Sequence, residues 1–269
     1  LKTFTHLVLT RFNVRVRAKW SRLNNDPAWL ESRLNLFREY CAPTIRDQTA
    51  TGFRWLIYFD TGTPEAFISR VRAELAGIPQ AELVFIDAFD RELWLPPIHA
   101  ALDPDAELVI TTRLDNDDGL HPDFLERVQS AAVKATVPSF LNLRRGYTVS
   151  GGRLYQLSDL SNAFLSLVER PESMETVWVK PHTEAASFAP VLQVDAAPAW
   201  LQVVHGENVS NRVRGRRVAA RHLHDFGIPN AGSEESSFAI FADNISRYPG
   251  RFARETAATV FRRVRRLTS

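Results

Sequence analysis

Cysteine is nearly absent from this sequence: Cys41 is the only one in 269 residues, so one chain can build neither a disulfide framework nor a cysteine-based zinc site. A reducing cytoplasm is the expected setting. No apolar stretch approaches the roughly 20 residues that cross a bilayer, and the start lacks the apolar core of a secretory signal. The first apolar run is followed by Thr10-Arg11-Phe12-Asn13-Val14-Arg15 instead of Gly-x-Gly-x-x-Gly, which excludes a dinucleotide-binding dehydrogenase. Internal repeats, low-complexity tracts and linkers are also missing. The simplest division is one domain over 1–225, with halves 1–137 and 138–225, followed by a basic helical extension over 226–269.

What is present begins with charge. The balance is close to even, with 33 Lys and Arg against 31 Asp and Glu, and gives no reason to expect a nucleic-acid partner. Residues 251–269 are the exception, with six arginines against Glu255. Interleaved with Phe252, Val260, Phe261, Val264 and Leu267, they fit a basic amphipathic helix that docks either on its own domain or on an anionic membrane surface.

The apolar pattern predicts strands at 6–10, 53–59, 83–86 and 108–112. Between them it predicts a helix from about Pro27 with Asp26 as N-cap, a helix opened by Pro64 with Phe67, Ile68, Val71 and Leu75 inward, and a helix-like region over 91–102. His121-Pro122 introduces a helix over 123–135. Such alternation, with strands apolar on both faces, implies an α/β fold with a mostly parallel sheet covered by helices, and a ligand site beyond the carboxyl ends of the strands. From 138 to 205 the pattern changes to short strand candidates at 140–143, 153–157, 176–180 and 201–204.

The chemistry-bearing stretch is Thr111-Thr112-Arg113-Leu114-Asp115-Asn116-Asp117-Asp118, directly after the fourth strand. Asp115 and Asp117, two apart, can both turn to the ligand edge, and a divalent cation held there would offset the charge of a diphosphate and its departure. An acidic loop making Asx turns would show the same Asp-x-Asp letters. Strand position favours the ligand reading, as does His205 in Val203-Val204-His205-Gly206, since neutral imidazole joins carboxylates on manganese-like ions.

Four separated motifs sharpen this. With Thr10-Arg11-Phe12-Asn13, the acidic run, Ser161-Asn162-Ala163-Phe164-Leu165-Ser166-Leu167-Val168-Glu169, and Trp200-Leu201-Gln202-Val203-Val204-His205-Gly206 followed by Asn208 to Arg212, the chain resembles the bacterial putative rhamnosyltransferase family over about residues 5–215. The resemblance implies a GT-A fold and a cytoplasmic transferase of surface-polysaccharide assembly. Its donor would be UDP-, dTDP- or GDP-linked, and its acceptor a saccharide or lipid-linked saccharide. Asp115 and Asp117 become the metal and diphosphate residues for Mn2+ or Mg2+, and His205 a late ligand. The half 1–137 then holds the nucleotide, with Thr10, Arg11, Asn13 and Arg113 as candidate contacts and Asp60 placed to accept the N3 hydrogen of uracil or thymine. The half 138–225 becomes the acceptor side. Rhamnose as the sugar follows from the resemblance alone.

Phe59-Asp60-Thr61-Gly62-Thr63 also matches two hydrolase signatures. An aspartic protease needs a second Asp-Thr-Gly and a nearly all-β chain, and an aspartate phosphatase wants a second carboxylate where Gly62 stands. The remaining rivals to a transferase are a non-catalytic nucleotide- or glycan-binding module and, behind it, a phosphatase using Asp60. An inverting transferase needs a general base, for which Asp195 comes first, then His182, with Glu169 as a third; a retaining one does not. Arg212, Arg214, Arg216, Arg217 and Arg221 are candidates to close over a diphosphate.

Overall fold

The run Leu7-Val8-Leu9 is apolar towards both faces, and in the computed structural model it is fully buried at the centre of strand β1 (Phe4–Arg11). The structure describes residues 2–15, 24–195, 197–205, 213–229 and 236–247. Strands β2 (Arg54–Asp60), β3 (Ala81–Ile86) and β4 (Leu108–Arg113) run parallel to β1 in the order β4-β1-β2-β3. The connections are helical, as parallel pairing requires. Helix α1 (Pro27–Leu36) begins where Asp26 Oδ1 accepts the Trp29 amide at 2.9 Å and Pro27 sets the first turn. A π-helical turn, Phe37–Cys41, continues into α2 (Ala42–Arg46), and α3 (Glu65–Glu74) and α4 (Arg91–Ala100) complete the first half.

The second half contributes β5 (Gly119–Leu120), α5 (Phe124–Ala132), β6 (Ser139–Leu143), β7 (Arg145–Ser150), β8 (Arg153–Ser158), β9 (Ser166–Glu169), β10 (Val191–Val194), β11 (Trp200–Val203), β12 (Arg216–Val218) and α6 (Ser237–Arg247). Strand β9 inserts antiparallel between β4 and β6, and β10 adds in parallel outside β6. The result is a seven-stranded sheet of order β10-β6-β9-β4-β1-β2-β3, parallel except for β9, beside a five-stranded sheet of order β12-β8-β7-β11-β5. Period-two alternation sorts the large sheet's side chains. Val8, Trp55, Ile57, Phe59 and Ile110 pack with α1, α3 and α5, whereas Leu7, Leu9, Leu56, Tyr58 and Val109 pack with Trp94 and Ile98 of α4. No helix among the described residues is long and apolar enough to cross a membrane.

One expected strand is a turn. Residues 176–180 carry apolar Val177 and Trp178, but Thr176 takes a left-handed φ of 70°. The segment is tied down by side chains: the Glu169 carboxylate accepts the amides of Glu175 and Thr176, each at 2.9 Å, and Thr111 Oγ1 accepts the Val177 amide at 2.8 Å. Its apolar residues reflect docking of a loop against Tyr58 and Trp94, with Trp178 edge-on to both rings. Strands β7, β9 and β10 were not separated by the sequence pattern. The basic tail over 251–269 and Arg212 lie outside the described residues.

Strand β7 meets the neighbouring β11 at a point with no spare room. A Cβ on Gly146 would fall 2.1–2.4 Å from three ring atoms of Trp200. That indole cannot retreat, because it stacks on Phe164 at 5.0 Å and donates through Nε1 to Leu143 O at 2.7 Å. Gly146→Ala is therefore expected to lower stability by about 3 kcal/mol, the upper range for overpacking. Chemical denaturation checks this, and a midpoint equal to wild type would show that the ring can move.

Candidate active site at the strand ends

The carboxyl ends of β1, β2 and β4 bring Arg11 to Asn13, Asp60, and Asp115 to Asp118 to one edge of the sheet. Beyond β4 the chain remains anchored to β1: Leu114 donates its amide to Leu9 O at 3.1 Å, and Asn116 Nδ2 donates to Phe12 O at 3.2 Å. Asp118 N closes the turn on Asp115 O at 3.2 Å. These bonds fix three aspartates in three directions.

Asp115 is held by a bidentate fork. Arg113 Nη2 lies 2.9 Å from Oδ2 and 3.2 Å from Oδ1, and Nε lies 3.3 Å from Oδ1. Burial opposes ionisation, but the charge and hydrogen bonds of Arg113, then the charges of Arg11 and His182, hold the carboxyl below the usual range. The influence runs both ways. Burial and Arg113 lower the His182 imidazole, against the pull of Asp115 and Asp159. Arg11 lies over the Phe89 ring at 4.7 Å, and its desolvation depresses the guanidinium. Arg11, Arg113, Asp115 and His182 thus form one charged neighbourhood.

Asp117 turns the other way and is almost fully buried. Its Oδ2 lies 2.9 Å from His205 Nε2 and 2.7 Å from Arg33 Nη1, with Arg33 Nη1 3.4 Å from the same imidazole nitrogen. Asp118 points inward and accepts the Val203 amide at 2.8 Å, which fixes the end of β11 that carries His205. Burial and then the charges of Asp117 and Asp115 push its carboxyl well up. Beneath the loop, the π-helical turn places Cys41 Sγ 3.8 Å from Asp115 O.

Other expected contacts have different surroundings. Thr10 is fully buried, and its Oγ1 accepts the Trp55 indole N–H at 2.8 Å. Asn13 Nδ2 donates to Asn24 O, Asn25 Oδ1 and Thr63 Oγ1 within 3.0 Å, and its Oδ1 accepts the Asp60 amide at 3.2 Å. Asp60 is 0% exposed: Oδ2 accepts from Arg15 Nε at 2.8 Å and Asn24 Nδ2 at 3.1 Å, and Oδ1 from the Gly62 amide at 2.9 Å and Asn25 Nδ2 at 3.2 Å. With both oxygens engaged and covered, no lone pair is open for attack on phosphorus, which removes the phosphatase reading. Glu169 caps the 175–177 turn, and burial raises its carboxyl. Asp195 is exposed and paired with Arg145 at 2.7 Å and Arg144 at 3.7 Å. It stands on the rim of a groove of about 840 Å3 between α5 and β10, with Arg127, Lys134, Leu141 and Leu192 among its walls. Arg217 reaches Asp243 of α6 at 3.8 Å.

Two site residues escaped the sequence reading. Arg33 comes from α1, where it shares the inward stripe of Leu30, Leu34 and Phe37; a charge on a buried stripe was its one signal. Asp118 closes the acidic run but was given no role of its own.

Whether the residues suit a divalent ion turns on Asp117 and His205. Among the described residues no group of three or more His, Cys, Asp or Glu is arranged to hold a metal. A divalent ion beside a nucleotide takes few protein ligands and completes its shell with phosphate oxygens and water, so a carboxylate with one close neighbouring donor group would suffice to hold it. The 2.9 Å separation of Asp117 Oδ2 and His205 Nε2 fits such a pair.

The mostly parallel sheet, with one antiparallel strand between β4 and β6, gathers arginines, imidazoles and carboxylates beyond its strand ends, as the apolar pattern of the sequence led one to expect of an α/β fold. The chain belongs to the family described as putative rhamnosyl transferase, whose model matches residues 4–217. No curated protein matches the sequence. Among solved structures it is similar to TarS from S. aureus in complex with UDP-GlcNAc, 11% identical over 78% of this chain and 62% of that one, TM-score 0.45. The chain thus spans less than two thirds of TarS. It is also similar to 4-diphosphocytidyl-2C-methyl-D-erythritol synthase from Anaerococcus prevotii, 12% identical over 71% of this chain and 87% of that one, TM-score 0.38.

The Asp60 cluster yields a stability prediction with a definite pH sign. Burial raises the Asp60 carboxyl, but hydrogen bonds from Arg15, the Gly62 amide and Asn25 outweigh it, so the folded protein holds the carboxyl below its ordinary 3.8. A depressed carboxylate stabilises the fold above the unfolded value, and that contribution is lost as pH falls through the folded value. Asp60→Asn is expected to cost roughly 2 kcal/mol at pH 7, with the gap to wild type closing below about pH 3.8. Thermal melts from pH 3 to 7 read this out, and a gap independent of pH would deny the carboxylate its role.

Proposed function

We propose that the chain transfers a sugar from a nucleotide-diphosphate donor to a polysaccharide or glycolipid acceptor with the aid of Mn2+ or Mg2+. The observation that carries the reading is the Asp117–His205 pair, 2.9 Å apart at the end of β4, with Asp115 beside it under Arg113. Asp117 and His205 would hold the ion, with Asp115 serving ion or donor. When bound, the ion offsets the charge that builds on the departing diphosphate. Arg11 and Arg113 supply fixed positive charge at the same edge, where diphosphate oxygens would lie. Thr10 within β1, Asn13 just beyond it and Asp60 at the end of β2 shape the nucleotide pocket from below.

If the reaction inverts, His182 is better placed than Asp195 to take the acceptor proton. Burial and then Arg113 lower its imidazole against the pull of Asp115 and Asp159, which favours the neutral form that accepts a proton. Asp195 serves the alternative in which the acceptor lies along the α5–β10 groove. We assign 1–225 to catalysis, with the nucleotide side in 1–137 and the acceptor side in 138–225, and 226–269 to a basic extension that meets the inner face of an anionic membrane from the cytoplasm. Rhamnose is proposed from the family description. The donor base is among uridine, thymidine and guanosine.

Asp117→Ala is expected to fold and to lose manganese-dependent donor turnover by about a hundredfold or more. Activity retained in the folded variant rejects Asp117 as a ligand, and binding of donor by wild type without turnover in manganese favours a non-catalytic binding module. Thermal shifts with UDP-, dTDP- and GDP-sugars identify the base, because a ligand that binds the native state alone raises the melting temperature.

A further inference from the structure

Among the described residues two arginines hydrogen-bond the carboxylates of the acidic run, and they are committed differently. Arg113 clamps both oxygens of Asp115. Arg33 touches Asp117 through Nη1 alone, its Nε is buried without a hydrogen-bond partner, and its guanidinium lies 5.1 Å from the Trp29 ring on its own helix. A one-point contact to a carboxylate is more easily released than a bidentate one.

The position of that one contact matters. Nη1 lies 2.7 Å from Asp117 Oδ2 and 3.4 Å from His205 Nε2, so it occupies the point from which one cation meets both atoms. The Arg33 and Asp117 side chains are only 12% and 9% exposed, so water screens the contact weakly. A divalent ion seated on Asp117 and His205 and the guanidinium cannot share this space.

We propose that Arg33 is the resident cation of this site, held between Asp117 and His205 in the donor-free protein, and that a divalent ion must displace it to bind. The inference rests on the metal-assisted reading above. It makes occupation of the site an exchange: the metal replaces one positive charge, and the released guanidinium is free to pair with the diphosphate that arrives with it. Metal alone therefore binds weakly, and metal with nucleotide diphosphate binds well.

Titration of manganese alone into the full chain, followed by calorimetry, tests this. Arg33→Gln is expected to bind manganese about tenfold tighter than wild type, and Arg33→Lys, which keeps a cation, to stay near wild type. Arg33→Met, which keeps the stem against Trp29, gives the same reading should the Gln variant unfold. Adding His205→Ala to the neutral variant is expected to remove the gain. Manganese binding to wild type with no gain in a folded neutral variant overturns the role of Arg33 and leaves the metal reading standing. A gain that survives His205→Ala also overturns it, because the ion would then sit elsewhere. If neither wild type nor the neutral variants bind manganese, with or without UDP, dTDP or GDP, the metal-assisted reading fails and this inference falls with it.

Discussion

The site depends on the cost of keeping Asp115, Asp117 and Asp118 within one turn at the edge of a packed sheet. An unpaired carboxylate there would lose far more in hydration than the fold can supply, and adjacent like charges add to the cost. Each acid meets a different answer: a bidentate arginine for Asp115, an arginine and an imidazole for Asp117, and a backbone amide for Asp118. Those answers come from β4 itself, from α1 and from the end of β11. The acidic run thereby draws three distant parts of the chain to one point.

How much of this was legible in the residues depends on range. The parallel strands were visible because Leu7 to Leu9 and residues 53–59 are apolar towards both faces, and the start of α1 because Asp26 and Pro27 act locally. Asp115, Asp117 and His205 drew notice as candidates through residue type and strand position together. Arg33 did not, because its partner is 84 residues away and a helical arginine is usually a solvated one. The turn over 176–180 misled for the same reason: its geometry is imposed by Glu169 and Thr111, which only the folded sheet brings beneath it.

Asp60 shows the opposite case, a local pattern that matches catalytic signatures without their context. Asp-Thr-Gly is read as a catalytic signature in two hydrolase classes, yet here its geometry is that of an Asx turn, with Gly62 N on Asp60 Oδ1. The remaining acceptor capacity goes to Arg15, Asn24 and Asn25, and so binds the loop after β1 to the end of β2. A role for Asp60 in recognising a base would require one of these donors to yield. Shaping the pocket through Asn13 requires nothing to move.

The arrival of His205 is a matter of register. Strand β11 pairs antiparallel with β5, Leu201 opposite Gly119 and Trp200 opposite Leu120, and β5 is the stretch that directly follows Asp118. The acidic run and the histidine strand are thus indexed to each other through adjacent backbone. Because strand side chains alternate faces, a slip of one residue in this pairing would put Trp200 on the wrong side and turn the run leading to His205 away from Asp117. Two features oppose the slip: Trp200 fits over Gly146, where any side chain would collide, and the Val203 amide is taken by Asp118. The glycine in β7 and the buried aspartate therefore serve the same end, since both set the distance between Asp117 and His205.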